Sequence, residues 1–296
     1  GNGRLGGMAY GDLAGTIQVN VDSLWAGSPI DRHRDPPEGS LEEARRLWFA
    51  GDVTGAQAIM QREFMSERLT RSHQTLFTVG TRWIEDGATI TDYRRSLDLA
   101  TGIAETTFRI DGRLHRCRMF ASEPDDVIVV HWETDSPDGM LASMAAGRPS
   151  LSGGTMKVLA GGSETEVDEA IVMVGRAVND GHPGVEYAAA ASMRAKALDP
   201  TPVRVSTPDI ARIGEVNNES DLARRVESFT VAIAGATTMP GHGVDDPEAE
   251  VRAVVRKALD RGFDRLLERH LASFTPVMER VSLDLGRTPQ EGKPTD

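Results

Sequence analysis

The spacing of apolar and polar positions divides the chain into three kinds of segment. Residues 1–35 are rich in glycine and carry one alternating run, Thr16-Ile17-Gln18-Val19-Asn20, which predicts a half-buried strand. A helical unit follows. Ser40 stands before Leu41-Glu42-Glu43, so Ser40 as N-cap and Glu43 at the third helical position form a capping box. Leu41, Ala44, Leu47 and Trp48 then share one face, and Gly51 supplies the stop. Asp52 is placed to cap a second short helix with Ala56, Ile59, Met60 and Phe64 on its apolar side. Residues 40–65 are therefore expected to form a helical hairpin lying on, or inserted into, another element.

From about residue 76 to 235 the period shortens to two. Glu105 to Ile110 and Arg113 to Phe120 flank Asp111-Gly112, a pair whose tolerance of positive φ makes it a strong hairpin turn signal. Asp126 to Trp132 reads as a more fully buried strand, and further β-like runs cover Glu169 to Val174, Val185 to Ala195 and Val226 to Ala234. Successive strands have no helix between them, which argues for antiparallel sheets stacked face to face. In the last third, Asp246-Pro247-Glu248 reads as N-cap, first-turn proline and first-turn acid. Val251, Val254, Val255, Ala258, Leu259, Leu266, Leu267, Leu271 and Phe274 recur at helical spacing, interrupted at Gly262 and closed at Thr275-Pro276. The helices over 247–274 are expected to carry an exposed apolar face, which in the isolated chain either self-associates or is covered. Residues 287–296 read as a polar linker. The expected organisation is a β-sandwich over 1–240 with its helical insertion, a helical linker over 241–286 and the polar tail.

Composition narrows the class. The 296 residues are 39% hydrophobic and 26% charged, enough to bury a core, and no apolar run reaches the roughly 18 residues of a membrane helix. A soluble protein, cytoplasmic or secreted, is expected. With 33 basic against 45 acidic residues the net charge is −12, which disfavours nucleic acid as a partner. Cys117 is the single cysteine, so an intrachain disulfide and a multi-cysteine zinc site are excluded, and a packed strand cysteine is the expected role. The chain starts at Gly1 rather than at a methionine and is read as a processed product or a piece of something longer.

Local motifs supply little chemistry. Gly1-Asn2-Gly3-Arg4-Leu5-Gly6 fits the dinucleotide pattern, but no strand precedes it and a strand-like segment follows, so no cofactor is expected. His33, His73, His115, His131, His182, His242 and His270 are scattered without metal-ligand spacing, and neither a Gly-x-Ser-x-Gly elbow nor a Walker-type lysine loop occurs. Asp125-Asp126, after Pro124, reads as a turn. Asp22 stands out because it lies in a turn-rich segment with Trp25, although a structural turn is its favoured reading. Trp25, Trp48, Trp83 and Trp132 offer flat faces to sugar rings, although four Trp, three Tyr and eight Phe are few enough that most are needed in the core.

Several blocks taken in order carry a resemblance. Gly1 to Met8, Ile17 to Asn20 and Asp22-Ser23-Leu24-Trp25-Ala26-Gly27-Ser28-Pro29 open it; Thr91 to Leu99, Phe120 to Val130, Arg269-His270-Leu271 and Arg280 to Gly286 continue it. Over nearly its whole length the chain resembles the N-terminal domain of the glycoside hydrolase family 95 α-L-fucosidases, which are related to the family 65 phosphorylases. The resemblance implies a mainly β protein: a large two-sheet antiparallel β-sandwich (a super-sandwich) with an inserted helical hairpin and a C-terminal helical linker. It also implies a partner, the catalytic (α/α)6 barrel of a parent polypeptide, which holds the acid, the base and the water-positioning asparagines. No residue here matches those catalytic motifs. The chain departs from the family at Gln74 to Gly80 and at Val21. What remains for this chain is a set of barrel-facing or substrate-rim candidates: Asn2, Arg4, Asn20, Asp22 and Trp25. The alternative is a free-standing carbohydrate-binding or interaction module without hydrolase activity, with oligosaccharide as its ligand.

Overall fold

The structure, a computed structural model, describes residues 1–27, 33–66, 72–82, 87–148, 154–162, 166–179, 182–199, 201, 203–204, 215–219, 222–284, 286, 288, 290 and 293. Trp83, Ser28, Pro29 and most of the polar tail lie outside the described residues. The strands are β1 (Leu5–Ala9), β2 (Ile17–Val21), β3 (Phe77–Arg82), β4 (Ile90–Asp98), β5 (Ile103–Ile110), β6 (Arg113–Ser122), β7 (Val127–Thr134), β8 (Met140–Arg148), β9 (Gly154–Gly162), β10 (Glu166–Asn179), β11 (His182–Ala197), β12 (Val203–Arg204), β13 (Glu215–Glu219) and β14 (Leu222–Thr237). The helices are α1 (Ser40–Phe49), α2 (Val53–Ile59), extended by a π-helical turn at Met60–Phe64, then α3 (Pro247–Arg261) and α4 (Phe263–Met278). The protein is mainly β and sandwich-like, as expected.

All the described strand pairings are antiparallel, and the sheet follows the order β1-β2-β3-β8-β14-β7-β6-β5-β4. Strand β8 also carries β13, and the main branching strand is β14. Its residues 228–233 pair with β7, its residues 224–226 pair with β8, and its other edge carries β11, then β10 and β9. Thus β7 and β8 lie end to end along one edge of β14, joined by the turn at 135–139. Alternation assigns the two faces. Ile128, Val130, Trp132, Phe229, Val231 and Ile233 point into the core between layers, with Val19, Phe77 and Phe108. Val127, Val129, Ala188, Ala190, Ala232, Ala234 and Ala236 point the other way.

That outer face is not left to solvent. Val251, Val255, Ala258, Leu259, Phe263 and Leu266 of α3 and α4 are buried on it. The face expected to be exposed is therefore mostly covered within the chain, with Val254, Leu267, Leu271 and Phe274 left half-buried. Small alanine side chains let a helix approach the sheet closely enough to lose its apolar face there.

Turn and cap chemistry match the sequence in most places. Asp111 and Gly112 adopt φ of 50° and 81°, the hairpin geometry read from the Asp-Gly pair. Asp52 accepts from the Gly55 amide at 2.9 Å, and Asp246 from the Ala249 amide at 3.0 Å, with Pro247 in the first turn. The first helix differs. Its N-cap is Gly39 in the left-handed region, Ser40 is already helical, and Glu43 binds Arg46 one turn on at 2.7 Å instead of reaching back. Of the stripe Leu41, Ala44, Leu47 and Trp48, only Ala44 is buried, because α1 packs chiefly on α2. At the other end α4 continues through Pro276 to Met278 rather than stopping at Thr275. Cys117 is a buried strand residue.

Candidate functional site

Pairing of β1 with β2 sets Leu5 opposite Val21 and Gly6 opposite Asn20, and the Asp22 amide donates to the Arg4 carbonyl at 3.0 Å. One end of this ribbon therefore gathers all five candidates, Asn2, Arg4, Asn20, Asp22 and Trp25, although they span 24 positions of sequence.

Their side chains do different things. The Asn2 carboxamide oxygen accepts from the amides of Arg4 at 3.0 Å and Leu5 at 2.7 Å, and its nitrogen donates to the Ser122 carbonyl at 3.1 Å. Arg4 makes a two-pronged contact with Asp126, Nε to Oδ1 at 2.9 Å and Nη2 to Oδ2. These two residues fasten the start of β1 to the β6–β7 turn. Trp25 donates its indole N–H to the Asp22 carbonyl at 2.7 Å and meets His73 edge-on, with centroids 5.3 Å apart. His73 in turn contacts the Val21 carbonyl at 2.8 Å. The Asp22 side chain is exposed, Trp25 and Asn20 are half-buried, and so these three carry the chemistry that faces outward. Gly184 backs the loop: a Cβ there would overlap the Trp25 carbonyl, so only glycine admits this close approach.

Other residues of this end were not legible in the sequence. Arg148 ends β8 buried, donates to the Gln74 carboxamide at 2.9 Å and lies over the Tyr187 ring, 4.2 Å from its centroid. Burial pushes its pKa below the usual arginine value, the Tyr187 hydroxyl opposing the shift. Gln74, in the stretch that departs from the family, donates onward to the Val178 carbonyl at 2.9 Å. The one sequence signal was a cation closing an apolar run.

Asp125-Asp126 form the expected turn but do more than turn. The Asp125 carboxylate is fully buried and accepts from Ser122 at 2.7 Å and from Arg269 Nε at 2.9 Å, with Arg261 at 3.1 Å. Nearby, His131 stacks on Phe263 at 3.8 Å between centroids and bonds Thr230 at 2.9 Å; burial lowers its pKa to about 4. Gly1 to Gly6 lead into strand β1, not a helix, so they present no fan of amides to a pyrophosphate. Among the described residues no three His, Cys, Asp or Glu side chains converge where they could hold a metal ion, and no helix is long and apolar enough to cross a membrane. An open cleft of about 1120 Å³ lies beside β1, lined among others by Gly7, Tyr93, Arg95, Thr106 and Met119.

Comparison with known proteins identifies the family of this domain. The chain is 24% identical to Alpha-L-fucosidase 2 of Arabidopsis thaliana, over 96% of its own length and 34% of that protein's. It is 25% identical to Probable alpha-fucosidase A of Aspergillus oryzae, over 97% of its length and 39% of that protein's. It thus spans little more than a third of these relatives. A putative kojibiose phosphorylase from the human microbiome aligns in structure over 93% of this chain and 34% of its own, at 10% identity and a TM-score of 0.44. Residues 1–208 match the model for the glycosyl hydrolase family 65 N-terminal domain, and the chain belongs to that family.

Proposed function

We propose that this chain is the non-catalytic N-terminal scaffold of an α-L-fucosidase-like glycoside hydrolase, of the family 95 type, and that it braces a catalytic (α/α)6 barrel. The observation that carries this reading is coverage. Nearly all of the chain aligns with about a third of each of two α-fucosidases, which leaves most of each relative for other domains. In this reading residues 1–240 form the sandwich, 241–286 the helical linker and 287–296 the approach to the barrel. The parent reaction is inverting hydrolysis of an α-L-fucosidic or similar linkage. One carboxyl protonates the leaving oxygen while a second, typically about 6.5–9.5 Å away, activates water, and both belong to the barrel.

Asn20, Asp22 and Trp25 then form the barrel-facing rim, and Asn2 and Arg4 hold its ribbon in place. The exposed Asp22 carboxylate and the half-buried Trp25 ring suit a sugar hydroxyl and a sugar face. The test is hydrolysis of an aryl α-L-fucoside. The purified chain alone is expected to give no turnover, and the DNA downstream of the Asp296 codon is expected to encode a helical barrel in frame. Turnover by the chain alone, lost in Asp22→Asn, overturns the reading. The cleft beside β1 favours a second reading, a carbohydrate-binding module, which calorimetry with fucosylated oligosaccharides tests directly.

A further inference from the structure

Strand β4 closes one end of the sheet, hydrogen-bonded to β5 along one edge, and every one of its residues is exposed. Tyr93 is 47% exposed, Leu97 59%, and Leu99, just beyond the strand, 69%. Such an edge is a row of unpaired N–H and C=O groups that templates another strand. We propose that it pairs with the same edge of a second copy of this chain, antiparallel about a two-fold axis at Ser96.

A two-fold contact must be self-complementary, and this register is. Centred on Ser96, Arg94 of one copy stands opposite Asp98 of the other, twice. Asp98 is already held at the strand end, accepting from the Ala100 amide at 2.9 Å. Among the described residues, Arg94 makes no ion pair within its own chain. On the other face Tyr93 stands opposite Leu99, and Leu97 lies opposite Arg95, whose aliphatic stem covers it. Every exposed apolar side chain from Tyr93 to Leu99 so gains a cross-strand neighbour. Neighbouring registers fail: centred on Arg95 they oppose two guanidinium groups, and centred on Leu97 they move Arg94 into the turn, opposite Ala100. The bulge between Thr91 and Arg94, with Asp92 at φ 53°, bends the start of β4 and confines pairing to its second half.

Sedimentation of the whole chain at roughly 100 μM, where a micromolar contact is occupied, is expected to give twice the 32.0 kDa chain mass. Arg94→Glu sets two carboxylates opposite each other and is expected to weaken association at least tenfold while leaving the far-UV spectrum unchanged. Ser96→Cys places two thiols at directly opposed positions, within reach of a disulfide, and is expected to form a covalent dimer under mild oxidation. Thr91→Cys is not, because its two copies lie about 34 Å apart along the strands. Cys117, 1% exposed, does not compete. A monomer at that concentration, a dimer indifferent to Arg94→Glu, or equal cross-linking by the two cysteine variants overturns the proposal.

Discussion

Arg269 of α4 donates from Nε to the buried carboxylate of Asp125 at 2.9 Å, joining that helix to the β6–β7 turn across 144 positions. Arg261 of α3 reaches the same oxygen at 3.1 Å, so one carboxylate fastens both helices to the sheet. Removing it leaves two guanidinium groups facing each other over an apolar floor. Asp125→Ala is expected to cost about 3 kcal/mol, the lower end for breaking a buried ion pair, since both arginines keep some contact with water. Urea unfolding measures it; a loss under 0.5 kcal/mol shows that the apolar contacts of α3 and α4 suffice without the lock.

Stability is expected to fall below pH 6.5. His131 is neutral in the folded protein, held by burial to a pKa of about 4 against 6.5 when unfolded, with the Arg118 charge adding to the effect and Glu133 and Asp264 opposing it. The unfolded chain therefore binds the proton first. The folded state is fully favoured above pH 6.5, loses ground between 6.5 and 4, and loses no more from this group below that. His270, lowered mainly by burial, acts in the same direction. The full loss from His131 is about 3 kcal/mol at most, and His131→Gln is expected to flatten that stretch of the stability–pH curve. An unchanged slope assigns the acid sensitivity to other groups.

Arg4 and Asp22 lie side by side on the β1–β2 ribbon yet differ in what they hold. Arg4→Ala loses a two-pronged pair that is about one-third exposed on each side, and a cost of about 1 kcal/mol is expected. Asp22→Asn leaves the backbone contact with Trp25 intact and is expected to change stability by less than about 0.5 kcal/mol. Thermal unfolding separates the two. Equal losses would make Asp22 part of the framework and remove it from the rim.

The hairpin turn offers a backbone test. Gly112 sits at φ 81° with open space around its Cα, so Gly112→Ala suffers from conformation alone, by about 1 kcal/mol. Gly15, at φ 61°, has no such space: a Cβ there meets the Trp132 ring at 2.8 Å. Gly15→Ala is expected to cost more than Gly112→Ala, and denaturant midpoints for the pair check the order.

Local signals settled much of this protein in advance. The Asp111-Gly112 turn, the caps at Asp52 and Asp246, the alternation of Thr16 to Asn20 and the helical stripe from Val251 each depend on a few neighbouring residues, so their reasons are visible in sequence. The ordered blocks pointed in the same way to the N-terminal domain of a glycoside hydrolase. Tertiary structure decided the rest. Met140 to Gly147 and Ala188 to Ala191 are rich in residues that favour helix, yet both are strands, because pairing with β14 and burial on two faces outweigh propensity. The fate of the α3 stripe depended on an alanine face fifteen positions away or more, and that of Asp125 on arginines over a hundred positions downstream. Likewise the gathering of Asn2, Arg4, Asn20, Asp22 and Trp25 at one end is a consequence of strand register. Contacts between distant positions leave no period in the chain, and only folding brings them within a hydrogen bond's reach.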